Sequence, residues 1–280
     1  MSIRSLVKRR SWSFATPLLP ALMASCSLEV AGIQEGSSVS SGEGQTSPAA
    51  DTGQGAGGAT TTTTSSGTTH PANRCGVGSI DEVHDSFDDN ATNMMFWSAF
   101  AEGTKGETSV TEIGGVVSVT SNGTKRLSAG YYQTFMTRKL NHCQALIEVQ
   151  AVAGPGQPIS TFFQLLDDSQ KDERLNIYNI NYLDGRLHFN LTVDGKMMPG
   201  MSQDVPYDPM AHRWWRFRED QGMSYMDTSP NGKSDTWTTQ LFFKTPMFAS
   251  NVRIKFGMEP TENTKPGGTS VFDNLNVPPP

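Results

Sequence analysis

Residues 177–193 alternate apolar and polar side chains on both sides of one Asp-Gly pair, Asp184-Gly185. A period of two over that length requires an extended chain with one buried face. Asp-Gly supplies the left-handed backbone of a two-residue hairpin turn. The pairing follows from that turn. Leu183 faces Arg186, Tyr182 pairs with Leu187, Ile180 with Phe189, and Tyr178 with Leu191, which makes the last three pairs the core face. The other face receives Asn181 with His188, Asn179 with Asn190, and Ile177 with Thr192. A slip of one residue would set core beside polar, so the register is specified. The solvent face is dense in neutral hydrogen-bonding groups.

The same period recurs from Cys75 onward. Cys143, Ala145, Ile147, Val149 and Ala151 alternate with Gln144, Glu148 and Gln150, and no long segment carries a helical stripe. Asn122-Gly123, Asp194-Gly195 and Asn231-Gly232 mark further turns. Strands are predicted near 83–88, 94–100, 115–120, 129–136, 143–153, 159–167, 174–183, 186–193, 212–220, 223–229, 236–243, 250–258 and 269–277. Many short strands at regular spacing predict an all-β sandwich or barrel.

The N-terminus reads differently. Arg4, Lys8, Arg9 and Arg10 precede a short apolar stretch, 14–24, that contains two prolines and leads to Ser25-Cys26. This is the pattern of an export signal over 1–25. It resembles the bacterial lipobox, in which small residues such as Ala24 and Ser25 precede the cysteine that takes the diacylglycerol, here Cys26. Ser27 follows, not Asp, and by that family's sorting rule this implies the outer membrane. The alternative is ordinary cleavage and secretion. Either way the protein is exported, with a lipid anchor as its only expected hold on a membrane; no run of 18 apolar residues is present.

Residues 26–73 are mostly Gly, Ser, Thr and Ala, with Thr60 to Thr64 as one run. Too few apolar side chains are present to offset the entropy of folding, so a disordered linker is expected, followed by a β-sandwich domain over 74–280. Gly53, Gly55 and Gly58 spell G-x-G-x-x-G, but no strand or helix flanks them, so no nucleotide loop is inferred. Lys and Arg number 22 against 28 acids. Without the signal's four cations the balance is 18 to 28, a formal charge of −10. That excess repels nucleic acid and anionic lipid headgroups, and neither is an expected partner.

Cys75 and Cys143 remain once Cys26 is assigned to lipid. Oxidation is the default for such a pair in an exported domain, so a disulfide is expected, with two buried thiols as the alternative. No zinc-ligand spacing, nucleophile elbow or P-loop occurs in the domain.

The segment 207–219, with His212-Arg213-Trp214-Trp215-Arg216-Phe217-Arg218-Glu219, runs on to Tyr225 through Gly232 and to Trp237. It resembles the late hairpin of concanavalin A-like lectin/glucanase domains of bacterial surface proteins. Asp85-Ser86-Phe87-Asp88-Asp89 looks like that family's first strand, and Val271 to Val277 looks like its last. The resemblance spans about 83–277. It implies a two-sheet antiparallel jelly-roll sandwich. In the family's glucanases, paired carboxyl groups project from one face of one strand, which requires acids at i and i+2. No two Asp or Glu residues in this chain are two apart; the acids cluster as adjacent pairs, among them Asp88-Asp89, Asp167-Asp168 and Asp172-Glu173.

The expected function is therefore a surface-tethered, non-catalytic binding module, with a polysaccharide or cell-surface glycan as partner. Its site is expected at Asn179, Asn181, His188 and Asn190, with Trp215 as the candidate aromatic platform. Both Trp214 and Trp215 serving packing is the competing reading. Arg213, Arg216 and Arg218 are expected to form cross-strand ion pairs. A structural calcium ion is considered at Asp88, Asp89 and Asp273, where first and last strands would meet; the alternative is that these residues only end strands. A glycoside hydrolase of the same fold, and an adhesive or structural lipoprotein without a small ligand, remain open.

Overall fold

The computed structural model describes residues 75–103, 106–122, 127–134, 136–154, 158–169, 175–261 and 267–279, all within one of the chain's two units, 64–280. The expected signal (1–25), the linker (26–73) and Cys26 lie outside the described residues, as do Gly123 and the pair Asp172-Glu173.

Two antiparallel seven-stranded sheets face each other, with strands numbered in chain order. The first runs, edge to edge, β1 (Trp97–Ala101), β4 (Ala129–Gln133), β13 (Val252–Pro260), β6 (Ile159–Asp167), β7 (Ile177–Leu183), β8 (Arg186–Val193) and β9 (Lys196–Pro206). The second runs β12 (Thr238–Lys244), β11 (Met223–Ser229), β10 (Trp214–Asp220), β5 (Gln144–Ala151), β14 (Gly268–Asp273), β3 (Val117–Ser121) and β2 (Thr108–Glu112). The chain changes sheets repeatedly, and β13 and β14 enter between strands formed much earlier. This is the expected sandwich.

The β7–β8 hairpin has the register its sequence dictates, from Leu183 opposite Arg186 to Ile177 opposite Thr192. Asp184 and Gly185 take φ of 50° and 76°, as that turn requires. Tyr178, Ile180, Tyr182, Leu187, Phe189 and Leu191 all lie in the core. Tyr178 packs edge-on against Phe217 of β10, and Phe163 of β6 meets the same ring at 4.9 Å between centroids. These aromatic contacts tie the two sheets together.

Three expectations change. Residues 83–88 form no strand: a 3-10 turn spans Ile80–Glu82, and only the bridge of Asp85 to Leu275 follows. The cause is local. Asp85 Oδ1 accepts from Phe87 N–H at 2.9 Å, and Phe87 and Asn90 take φ of 55° and 57°, which turns the chain out of extension. The last strand stops at Asp273 because Asn274 and Asn276 also take positive φ. Two edge strands, β2 and β9, stood outside the predicted set. β2 is mostly polar, and β9 is interrupted by Pro199-Gly200, so neither shows the alternation of a buried strand.

Cys75 and Cys143 form the disulfide, closing a separation of 68 residues. Cys143 directly precedes β5, the central strand of its sheet, so the bridge pins the start of the domain to its middle. In the chain-entropy account such a loop contributes about 4 kcal/mol.

Candidate functional site

The outward face of the first sheet is set by the β7–β8 register and extended by β6 and β9. One row across it reads Gln164, Asn179, Asn190, Ser202. The next reads Phe162, Asn181, His188, Asp204. The four polar residues expected from the sequence therefore share one surface, and β9 adds Ser202 and Asp204.

Asn179 and Asn181 form the frame of this surface. Gln164 Nε2 donates to Asn179 Oδ1 at 3.0 Å, Asn179 Nδ2 to Asn181 Oδ1 at 2.7 Å, and Asn181 Nδ2 to Ser160 Oγ at 3.1 Å. The relay is neutral throughout and holds both amides in fixed orientations. Asn190 and Ser202 differ: among the described residues neither side chain has a hydrogen-bond partner, so their amide and hydroxyl face solvent with full capacity.

His188 Nδ1 lies 2.8 Å from Asp204 Oδ1. A carboxylate there selects the Nδ1–H tautomer and leaves Nε2 as an acceptor. Arg186 Nη2 steadies the same strand by donating to the Asp204 carbonyl at 3.2 Å.

These groups surround a cleft of about 300 Å³, lined by Asn181, His188, Asn190, Met197, Ser202 and Asp204 together with Leu183 and Phe189. A bulge in β9 shapes it. Asn190 pairs with Ser202 but Thr192 with Met197, so β9 spends three more residues than β8 over this interval, and Gly200 takes φ of 74° within it. The exposed Met197 gives the cleft an apolar flank. Towards β6 the face is closed, since Phe162 is only 2% exposed although it points outward.

Trp215 does not belong to this site. It is fully buried between the sheets, and its Nε1 donates to the His212 carbonyl at 2.9 Å. Trp214 points the other way but is covered, its ring packed under Gly232 and Pro279. Packing therefore accounts for both tryptophans, because alternation on β10 gives each sheet face one ring and both faces are covered there.

The expected calcium carboxylates are divided. Asp273 accepts from Gln150 Nε2 at 2.9 Å and Asn274 N–H at 2.7 Å, whereas Asp89 accepts from Ala91 N–H and faces Glu112. Among the described residues, the one trio of potential metal-ligand atoms within 4.8 Å of one another is Cys75, Asp81 and Cys143, whose sulfurs are joined to each other. Asp88, Asp89 and Asp273 do not form such a trio, although Asp88 lies near enough to Asp273 to raise its pKa.

Sequence reasoning missed Gln164, Ser160, Met197, Ser202 and Asp204. The Asp194-Gly195 turn pointed to a strand after β8, and φ values of 50° and 71° show that the turn forms. Pro199-Gly200 hid that strand.

No protein-family model matches the sequence, and no curated protein does. Solved structures resemble the fold. The laminarinase catalytic domain from Thermotoga maritima MSB8 superposes with a TM-score of 0.51 at 10% identity, covering 69% of this chain and 95% of that one. A prokaryotic β-1,3-1,4-glucanase (lichenase) derived from a mouse hindgut metagenome gives 0.49 at 11% identity, covering 69% and 96%. An endo-β-1,3-glucanase from Pyrococcus furiosus gives 0.48 at 9% identity, covering 68% and 93%. Identities this low speak to architecture alone. With the sheet order above, the first of these superpositions establishes that the domain is a concanavalin A-like jelly-roll sandwich.

Proposed function

We propose that this domain is a non-catalytic module, exported and held at the cell surface through a lipid on Cys26, that binds saccharide in the cleft of β7, β8 and β9. One observation carries the reading: unpartnered neutral groups, the Asn190 amide and the Ser202 hydroxyl, stand beside His188 Nε2 in an open cleft whose frame is already hydrogen-bonded. Amides and hydroxyls that both donate and accept suit the hydroxyls of a sugar. Asp204, with one oxygen on His188, offers its second oxygen to the same ligand. Met197 offers the apolar contact that an aromatic ring would otherwise supply.

The hydrolase reading is less well supported. Hydrolysis needs two carboxyl groups about 5 to 9 Å apart across the glycosidic bond. Asp204 is the one carboxylate among the residues lining the cleft, and the outward positions of β7 are Ile177, Asn179, Asn181 and Leu183.

A glycan array tests the proposal. The wild-type domain is expected to bind a defined set of glycans, and Asn190→Ala and His188→Ala to weaken that binding by about tenfold or more. Binding that survives both changes unaltered would remove the cleft from the account.

A further inference from the structure

The second sheet carries a cavity of its own on its outward side, beside the Cys75–Cys143 bridge. It encloses about 400 Å³ between the β5–β10 pair, residues 81–84 and residues 276–278. It shares no lining residue with the cleft on β7–β9.

Arg218 is its fixed cation. Its Nε donates to Asp227 Oδ2 at 2.8 Å, and its guanidinium lies 3.6 Å over the Tyr225 ring. Both Nη atoms have no hydrogen-bond partner among the described residues. Arg216 binds the same Asp227 oxygen through Nε at 3.0 Å and Nη2 at 2.7 Å. Two guanidinium groups thus share one fully buried carboxylate, and one positive charge is left over. Gln144, directly opposite Arg218 in the ladder, accepts from Arg216 Nη1 at 3.2 Å and keeps its own Nε2 free. A preset fork and an amide donor therefore sit side by side on the cavity wall.

Three acids stand on the wall, Asp81, Glu219 and Asp220, and the first two are already engaged. Asp81 accepts from the Ser79 hydroxyl. Glu219 is consumed by backbone donors, the N–H groups of His142 and Gly222. Asp220 is exposed and lies two residues beyond Arg218 on the same face of β10, about 7 Å along the strand. That is roughly the span of one pyranose ring. Leu146 and Val277 provide apolar wall between polar ends.

We infer that this cavity is a binding site for a sugar acid, separate from the cleft on β7–β9. The carboxylate of a hexuronate meets Arg218 Nη and Gln144 Nε2, and its ring hydroxyls donate to Asp220. A neutral sugar lacks the anion for the fork, and a simple carboxylate lacks the hydroxyls for Asp220.

Titrating the full chain with galacturonate, its methyl ester and acetate, while following the backbone amides of 142–146 and 218–222 by NMR, tests this. Galacturonate should shift those amides saturably, with ester and acetate weaker by about tenfold or more. Arg218→Gln and Gln144→Ala should each weaken galacturonate, the first by about tenfold or more. Asp220→Asn, at an exposed position, repeats the test without touching the Asp227 pair. Failure of galacturonate to saturate, equal binding of the ester or of acetate, or full affinity in the variants would overturn the assignment.

Discussion

Glu112 is a carboxyl held among carboxyls. It faces Asp89, lies near Asp85, and receives the Tyr131 hydroxyl on Oε2 at 3.2 Å. Burial pushes it up to about 7, with the charge of Asp85 adding to the effect. Asp273 is pushed up to about 6, first by burial, and Asp85 is raised for the same reason. An acid whose folded pKa exceeds its unfolded one makes the folded state hold an extra proton. The stability that proton brings is complete below the ordinary carboxylate range and is lost as pH rises through about 6 and 7. Tm should therefore fall between about pH 5 and about pH 8, and Glu112→Gln should raise Tm by a few degrees at the upper value while changing it little at the lower. Thermal melts at both values check this; parallel melts for variant and wild type would contradict it. None of this is legible in the sequence, because Asp85 and Asp89 come near Glu112, and Glu148 and Asp88 near Asp273, only in the folded domain.

Among the elements, β4 and β13 have the tightest fit. Gly130 and Gly257 are opposite one another, and a Cβ added to either would lie 2.1 Å from a carbonyl oxygen of the partner strand. Gly257→Ala should cost about 2 kcal/mol in a denaturant titration, and an unchanged midpoint would show that the strands can part. The hairpin β7–β8 was readable to the residue because its turn type and its alternation agree, which leaves one register. The edges were not. β9 bends through a three-residue bulge, and its side chains gain meaning only from the cleft they border. Asn179 and Asn181 were correctly placed on the open face, yet their hydrogen bonds run to each other and to Gln164 and Ser160, so the proposed ligand contacts fall to Asn190, Ser202 and His188. Trp215 misled because a strand that buries one ring and covers the other looks, in one dimension, like a strand that displays one.

The whole molecule presents two outward sheet faces with different chemistry. One carries a cleft of unpartnered neutral groups, and the other an arginine fork beside a cavity. Likeness of fold to glucanases does not decide between binding and hydrolysis, since one architecture serves both. The proposal of binding rests on the side chains of β7, β8 and β9. Affinity electrophoresis in gels containing a glycan that the array identifies, combined with a reducing-end assay on the same sample, separates the two outcomes. The domain should be retarded by the polysaccharide, lose that retardation on Asn190→Ala, and release no reducing ends. Steady release of reducing ends that stops on Asp204→Asn would instead make the cleft an active site.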